Sequence, residues 1–115
     1  AIIHEWGFPA PELQKEFCDS RGFIGRVDFW WPAHNLVGEF DGIAKYVREQ
    51  YTRGMTPAQI VVAEKHREDR IRATGPGFAR WGWDYPENPQ RLYDLLHAAG
   101  LPSWRRGAYR HRLPR

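Results

Sequence analysis

An α/β fold, a small mixed β-sheet flanked by helices, is predicted by three observations. Two β-rich runs between Phe23 and Asp41 are joined by a short polar turn. A capped-helix signal opens at Thr56. A further aromatic run, Phe78 to Trp83, returns as a strand before a last helix begins after Asn88. The resulting order of strand, strand, strand, helix, strand, helix buries one sheet between helical layers.

Each element has a local cause. The chain opens AIIHEWGFPAPE, without an initiating methionine, and its first turn signal is Gly7 with Pro9 and Pro11 close behind. It reads as starting partway through something, so a preceding helix or domain is expected outside it. Leu13 to Asp19 alternates loosely between apolar and polar residues, as an edge strand does. After a turn at Ser20 to Gly22, Phe23 to Trp31 and Leu36 to Asp41 form a hairpin across His34 and Asn35. Ile43 to Met55 is poorly periodic and reads as a loop or short helix. Thr56, Pro57 and Gln59 then make a capping box, and the helix runs from Pro57 to about Thr74, where Gly75 supplies the left-handed terminal residue. In the last helix Leu92, Leu95, Leu96 and Ala99 mark one apolar face, stopped by Gly100 and Pro102.

The composition bounds the function. At 115 residues, with 42% hydrophobic and 27% charged, the chain suits one ordinary globular domain, 1–103, followed by a basic tail, 104–115. No apolar run approaches the roughly 18–20 residues of a membrane span, and no signal-peptide layout is present, so a soluble, cytoplasmic protein is expected. Cys18 is the only cysteine, which excludes an intrachain disulfide and a thiolate zinc cluster. The five histidines have no metal-ligand spacing, leaving carboxylates as the expected ligands. Arg105, Arg106, Arg110, Arg112 and Arg115 carry more positive charge than the net +3, so the basic character belongs to the tail. With Trp104 and Tyr109 interleaved, such a tail can follow a phosphate backbone or simply be a solvated terminus.

The unusual feature is RVDFWWPAHNLVGEFDG, which places Asp28, Glu39 and Asp41 among aromatic and aliphatic strand residues. Residues two apart on a strand share a face, so Glu39 and Asp41 project together, and Asp28 shares a face with Arg26 and Trp30. Acids on a hairpin are often only its solvated face, neutralised here by Arg26. Yet Phe29, Trp30, Trp31, Val37 and Phe40 imply a covered face, where unpaired acids are costly. Asp28 and Glu39 are the pair of oxygen ligands that Mg²⁺ prefers, and a bound metal would polarise a phosphodiester and activate water.

Taken together, GRVDFWWPAHNLVGEFDGIAKY, EKHREDRIRATG and FARWGWD resemble the PD-(D/E)XK restriction-endonuclease-like superfamily, and in particular its very-short-patch-repair-like branch at the C-terminus of actinobacterial antitoxin-type proteins. The resemblance covers about Pro9 to Ala99. It implies a Mg²⁺- or Mn²⁺-dependent DNA endonuclease core, with Asp28 on the motif aspartate and Glu39 on the motif glutamate. Asp41 stands where the motif has lysine, so Asp41 is expected as a third ligand or water-orienter, and Lys45 or Lys65 as the compensating cation. The branch carries an acid on a helix before the first strand; that helix is largely missing here, and Glu5 is too close to the turn to replace it. A helix-turn-helix domain of the same protein is the implied neighbour.

Other residues divide between roles. Lys65 with Asp69 and Glu68 with Arg72 are i,i+4 pairs that stabilise an exposed helix. Arg67, Arg80, Arg105 and Arg106 are the expected nucleic-acid contacts, Arg80 alternatively bracing the acids. Trp81 and Trp83 are expected in the core, and His34 and His66 at the surface. The competing readings are an inactive nuclease fold retained as a DNA-binding or interaction module, and a purely structural domain whose acids pair with Arg26 and Arg80.

Overall fold

The computed structural model describes residues 2–40, 48, 51, 53–82 and 87–103. In chain order these form α1 (Ile2–Glu5), β1 (Glu12–Asp19), β2 (Gly22–Trp31), a 3-10 turn (Pro32–His34), β3 (Leu36–Phe40), α2 (Pro57–Ala73), β4 (Gly77–Trp81) and α3 (Pro89–Ala98). The expected order of strands and helices is therefore observed, with the short α1 in front of it. Most of the stretch from Ile43 to Met55, and Trp83 and the basic tail, lie outside the described residues. No helix among the described residues is long and apolar enough to cross a membrane.

The four strands form one mixed sheet in the order β1-β2-β3-β4. The first three are antiparallel neighbours, and β4 returns parallel to β3 after α2. Asn35 sets that return. Its left-handed backbone (φ 50°) ends the turn, its side chain donates to the Gly75 carbonyl at 2.9 Å, and its own carbonyl accepts the Gly77 N–H at 3.0 Å. Both the strand before and the strand after α2 are thereby held to one asparagine. The α2 start is the predicted reciprocal box, Gln59 N–H to Thr56 Oγ1 at 3.2 Å and Thr56 N–H to Gln59 Oε1 at 2.9 Å.

Each sheet face has its own core. Under α2, Phe17, Val27, Val37 and Ile71 cluster with Ile24, Trp30 and Phe78. On the other face Phe8, Trp31, Leu36, Ala79, Leu92, Tyr93, Leu96 and Leu101 pack together, with Phe29 and Trp81 against them. Trp81 thus takes the expected core position, stacked on Phe29 at 5.5 Å between centroids. On α3 the expected Leu92, Leu96 and Ala99 pack on this core, whereas Leu95 is exposed and Tyr93 is buried against Trp6 and Phe8 in its stead. Ser103 closes this side by donating to the Trp6 carbonyl.

The β1–β2 hairpin is tied to α2 by Asp19, whose two oxygens accept from Arg70 at 2.7 and 3.0 Å. The Arg70 side chain, with help from the Arg21 N–H, holds the Asp19 carboxyl below its ordinary value of 3.8. A folded pKa below the unfolded one stabilises the protein above the unfolded value, and that contribution disappears as pH falls through the folded one. The melting-temperature difference between wild type and Asp19→Asn is therefore expected to be full above about pH 5 and to shrink below pH 3.8, measured by circular dichroism melts across that range.

Candidate functional site

The site begins with strand alternation. On β3, Leu36 belongs to the α3-side core and Val37 to the α2-side core, so Glu39 faces α2. On β4, Phe78 faces the same way, and so does Arg80, which is paired with Glu39 in the parallel register. From above, α2 contributes Ile60, Glu64, Arg67 and Ile71, spaced four, three and four residues apart along one stripe. Two acids and two arginines consequently meet between sheet and helix.

Their contacts form a closed ring. The Arg67 guanidinium donates to both oxygens of Glu39, Nη2 to Oε2 at 2.7 Å and Nη1 to Oε1 at 3.3 Å. The same Nη1 donates to Glu64 Oε1 at 3.1 Å, and Nη2 also reaches the Arg26 carbonyl at 2.7 Å. Arg80 Nη2 donates to Glu64 Oε1 at 2.5 Å and pairs with Glu68 Oε1 at 3.2 Å and Glu39 Oε1 at 3.5 Å. Glu39 and Glu64 side chains are only 4% and 5% exposed, so the pairs act in a weakly screened interior where each is far stronger than at the surface. Gly25 makes room for this: a Cβ there would stand 2.7 Å from Arg67 Nε. Three polar atoms of the ring lack partners among the described residues: Glu64 Oε2, Arg80 Nε and Arg80 Nη1.

Asp28 flanks the ring. Beyond the Phe29–Gly38 pair, the antiparallel register sets Asp28 opposite Glu39. Regular alternation slips at this residue, because Val27 and Trp30 both pack toward α2. On the neighbouring strand, Gln14, opposite Asp28 in register, adopts a left-handed backbone (φ 56°). The irregularity re-aims Asp28, whose Oδ2 accepts the Phe40 N–H at 3.0 Å. Two expectations are corrected by it. Arg26 does not share a face with Trp30, and Arg26 does not neutralise the hairpin acids; it pairs with Glu16 at 3.2 Å on the exposed side.

The remaining site candidates distribute as follows. Arg67, expected to contact nucleic acid, is 13% exposed and spends its donors on Glu39 and Glu64. Arg80 takes the alternative expected of it and braces the acids. Lys65 stands on the exposed flank of α2, paired with Asp69 at 3.3 Å, and Glu68 pairs with Arg72 at 2.7 Å as well as with Arg80. Asp41, Lys45, Arg105 and Arg106 lie outside the described residues. Sequence reasoning missed Glu64. Within EKHRED it looks like one more solvated charge, and the signal that finds it is its place on the stripe bounded by Ile60 and Ile71.

Asp28, Glu39 and Glu64 carry carboxylate oxygens, and one of them, Glu64 Oε2, is buried without a hydrogen-bond donor among the described residues. Mg²⁺ asks for one or two protein carboxylates and completes its shell with water and phosphate. Among the described residues no group of three or more histidines, cysteines or acids is placed to hold a metal ion, so the expected ligand set depends on Asp41. Comparisons with family models, curated proteins and solved structures return no significant match.

Proposed function

We propose that this chain is a metal-dependent DNA endonuclease-like domain that hydrolyses phosphodiester bonds on a restriction-endonuclease-like sheet. The observation that carries the reading is Glu39, buried on β3 beside Asp28 of β2 and followed two residues later by Asp41. Rigid strands are a suitable mount for acids that must hold fixed geometry. Asp28, Glu39 and Asp41 would hold Mg²⁺ or Mn²⁺, which when bound supplies Lewis-acid polarisation of the phosphodiester and a water of lowered pKa. The rest is done by the chain. The Phe40 N–H fixes the Asp28 carboxylate, and the paired donors of Arg67 fix the plane of Glu39. Lys45 or Lys65 offsets developing negative charge, and Arg80, Arg105 and Arg106 attract the phosphate backbone. A cytoplasmic setting and an attached helix-turn-helix domain of antitoxin type belong to the same reading.

Conversion of supercoiled plasmid to open circle in Mg²⁺ or Mn²⁺ tests it. Asp28→Asn and Glu39→Gln are each expected to slow nicking by roughly 100-fold, about 2.7 kcal/mol of barrier. Nicking that survives Asp28→Asn intact removes the proposal.

One observation favours a second reading. Both oxygens of Glu39 already accept from guanidinium groups, so the acid is compensated without a metal. A nuclease fold locked in that way serves as a DNA-binding or interaction module. Gel-shift binding without cleavage, unchanged by Asp28→Asn, is its expected signature.

A further inference from the structure

We infer that β4 is a docking edge for a second copy of this chain, the two β4 strands pairing antiparallel across a two-fold axis at Ala79 to make one continuous sheet. The inference concerns assembly and stands whether or not the chain cuts DNA.

The sheet has two edges, β1 and β4, and the sequence treats them differently. An edge strand offers unpaired N–H and C=O groups to any other chain, and proteins blunt it with charges and irregular backbone. β1 carries both devices. Gln14 is left-handed and the register slips between Phe17 and Cys18. A two-fold through the middle of β1 sets Lys15 against Lys15 or Glu16 against Glu16, like charges face to face. β4 carries neither device: from Gly77 to Trp81 its only charge is Arg80, and it pairs with β3 without a slip.

The open groups of β4 are identifiable. Gly77 donates its N–H to the Asn35 carbonyl at 3.0 Å. In the parallel ladder Gly77, Ala79 and Trp81 therefore turn their backbone groups toward β3, and Phe78 and Arg80 turn theirs outward. Among the described residues no strand takes them. A second β4, running antiparallel about Ala79, does: Phe78 and Arg80 of one copy exchange both backbone bonds with Arg80 and Phe78 of the other. The side chains agree with that register. On the α2 side each Arg80 lies opposite a Phe78 ring, the kind of partner its guanidinium already has within its own chain at 5.6 Å. On the α3 side each Trp81 lies opposite Gly77, where no side chain competes for the space, and Ala79 meets its own copy. Neighbouring registers fail. A slip one way sets Arg80 against Arg80, and a slip the other way sets it against Pro76, which has no N–H to give. A two-fold normal to the sheet preserves its faces, so both acid–arginine rings lie on the same side of the joined sheet, their β3 strands three spacings or about 14 Å apart.

Sedimentation of the chain from about 1 to 100 µM, a range suited to a small interface, tests this together with cysteine trapping. Wild type is expected to reach twice 13.5 kDa at the upper concentrations. In a Cys18→Ser background, Ala79→Cys is expected to close a disulfide with its own copy on mild oxidation, because a non-hydrogen-bonded antiparallel pair brings its Cα atoms to about 4.5 Å. Lys15→Cys on β1, in the same background, is expected to cross-link at least about tenfold less, since nothing holds its two copies together. Hydrogen exchange gives a readout that needs no substitution: the Phe78 and Arg80 amides are expected to gain protection as concentration rises. A chain that stays monomeric at the highest concentration overturns the inference, as does a dimer trapped through Lys15→Cys instead of Ala79→Cys. Phe78 and Arg80 amides protected equally at every dilution mean that a segment of the same chain covers the edge, and overturn it too.

Discussion

Arg67→Ala is expected to destabilise the protein by about 3–5 kcal/mol, because it leaves buried carboxylates without their partner. Arg67 serves Glu39 on both oxygens, Glu64 on one and the Arg26 carbonyl besides, so no single replacement contact restores the balance. Glu39 is 4% exposed and cannot recruit bulk water without opening the helix from the sheet. Urea unfolding measures the effect. Adding Glu39→Gln to Arg67→Ala is expected to recover part of the loss, since the unpaired charge is then gone. Arg72→Ala is the contrast: its side chain is 46% exposed and its pair with Glu68 is a helix-surface pair, so a change within about 0.5 kcal/mol is expected.

Trp31→Ala is expected to cost a further about 3–5 kcal/mol, for a different reason. Trp31 is 1% exposed, packs against Phe29 and the α3-side core, and donates its indole N–H to the Pro9 carbonyl at 2.8 Å. Removing it opens a cavity under α3 and releases the segment between α1 and β1. For a domain of this size the loss corresponds to a fall in melting temperature on the order of 10–20 °C. A calorimetric scan checks it. Trp31→Phe is expected to retain part of the packing while losing the Pro9 bond.

The two variants mark where sequence reasoning reached and where it stopped. The hairpin, the capped helix and the returning strand were legible because each has a local cause: alternation, a capping box, a run of β-formers between turns. Trp31 was legible as core for the same reason. Glu39 stood out because an acid amid apolar strand residues needs a partner. One partner, Arg80, was legible as a brace for the acids, but the closer one was not, since Arg67 and Glu64 sit in a run of charges whose average character is that of a solvated helix. The burial of alternate turns emerges only when α2 lies across the sheet. Asp28 was placed on the wrong pattern because a slip in alternation depends on Gln14 of the neighbouring strand, which periodicity along one strand does not contain.

The parallel return of β4 also governs how this molecule folds. The β1–β2–β3 meander joins neighbours in sequence and closes small loops, whereas pairing β4 with β3 must wait until α2 and its connections have been brought round. Glu39 is therefore delivered early, Glu64 and Arg67 with the helix, and Arg80 with the final strand. The acids' second arginine is thus carried by the strand that closes the longest connection in the sheet.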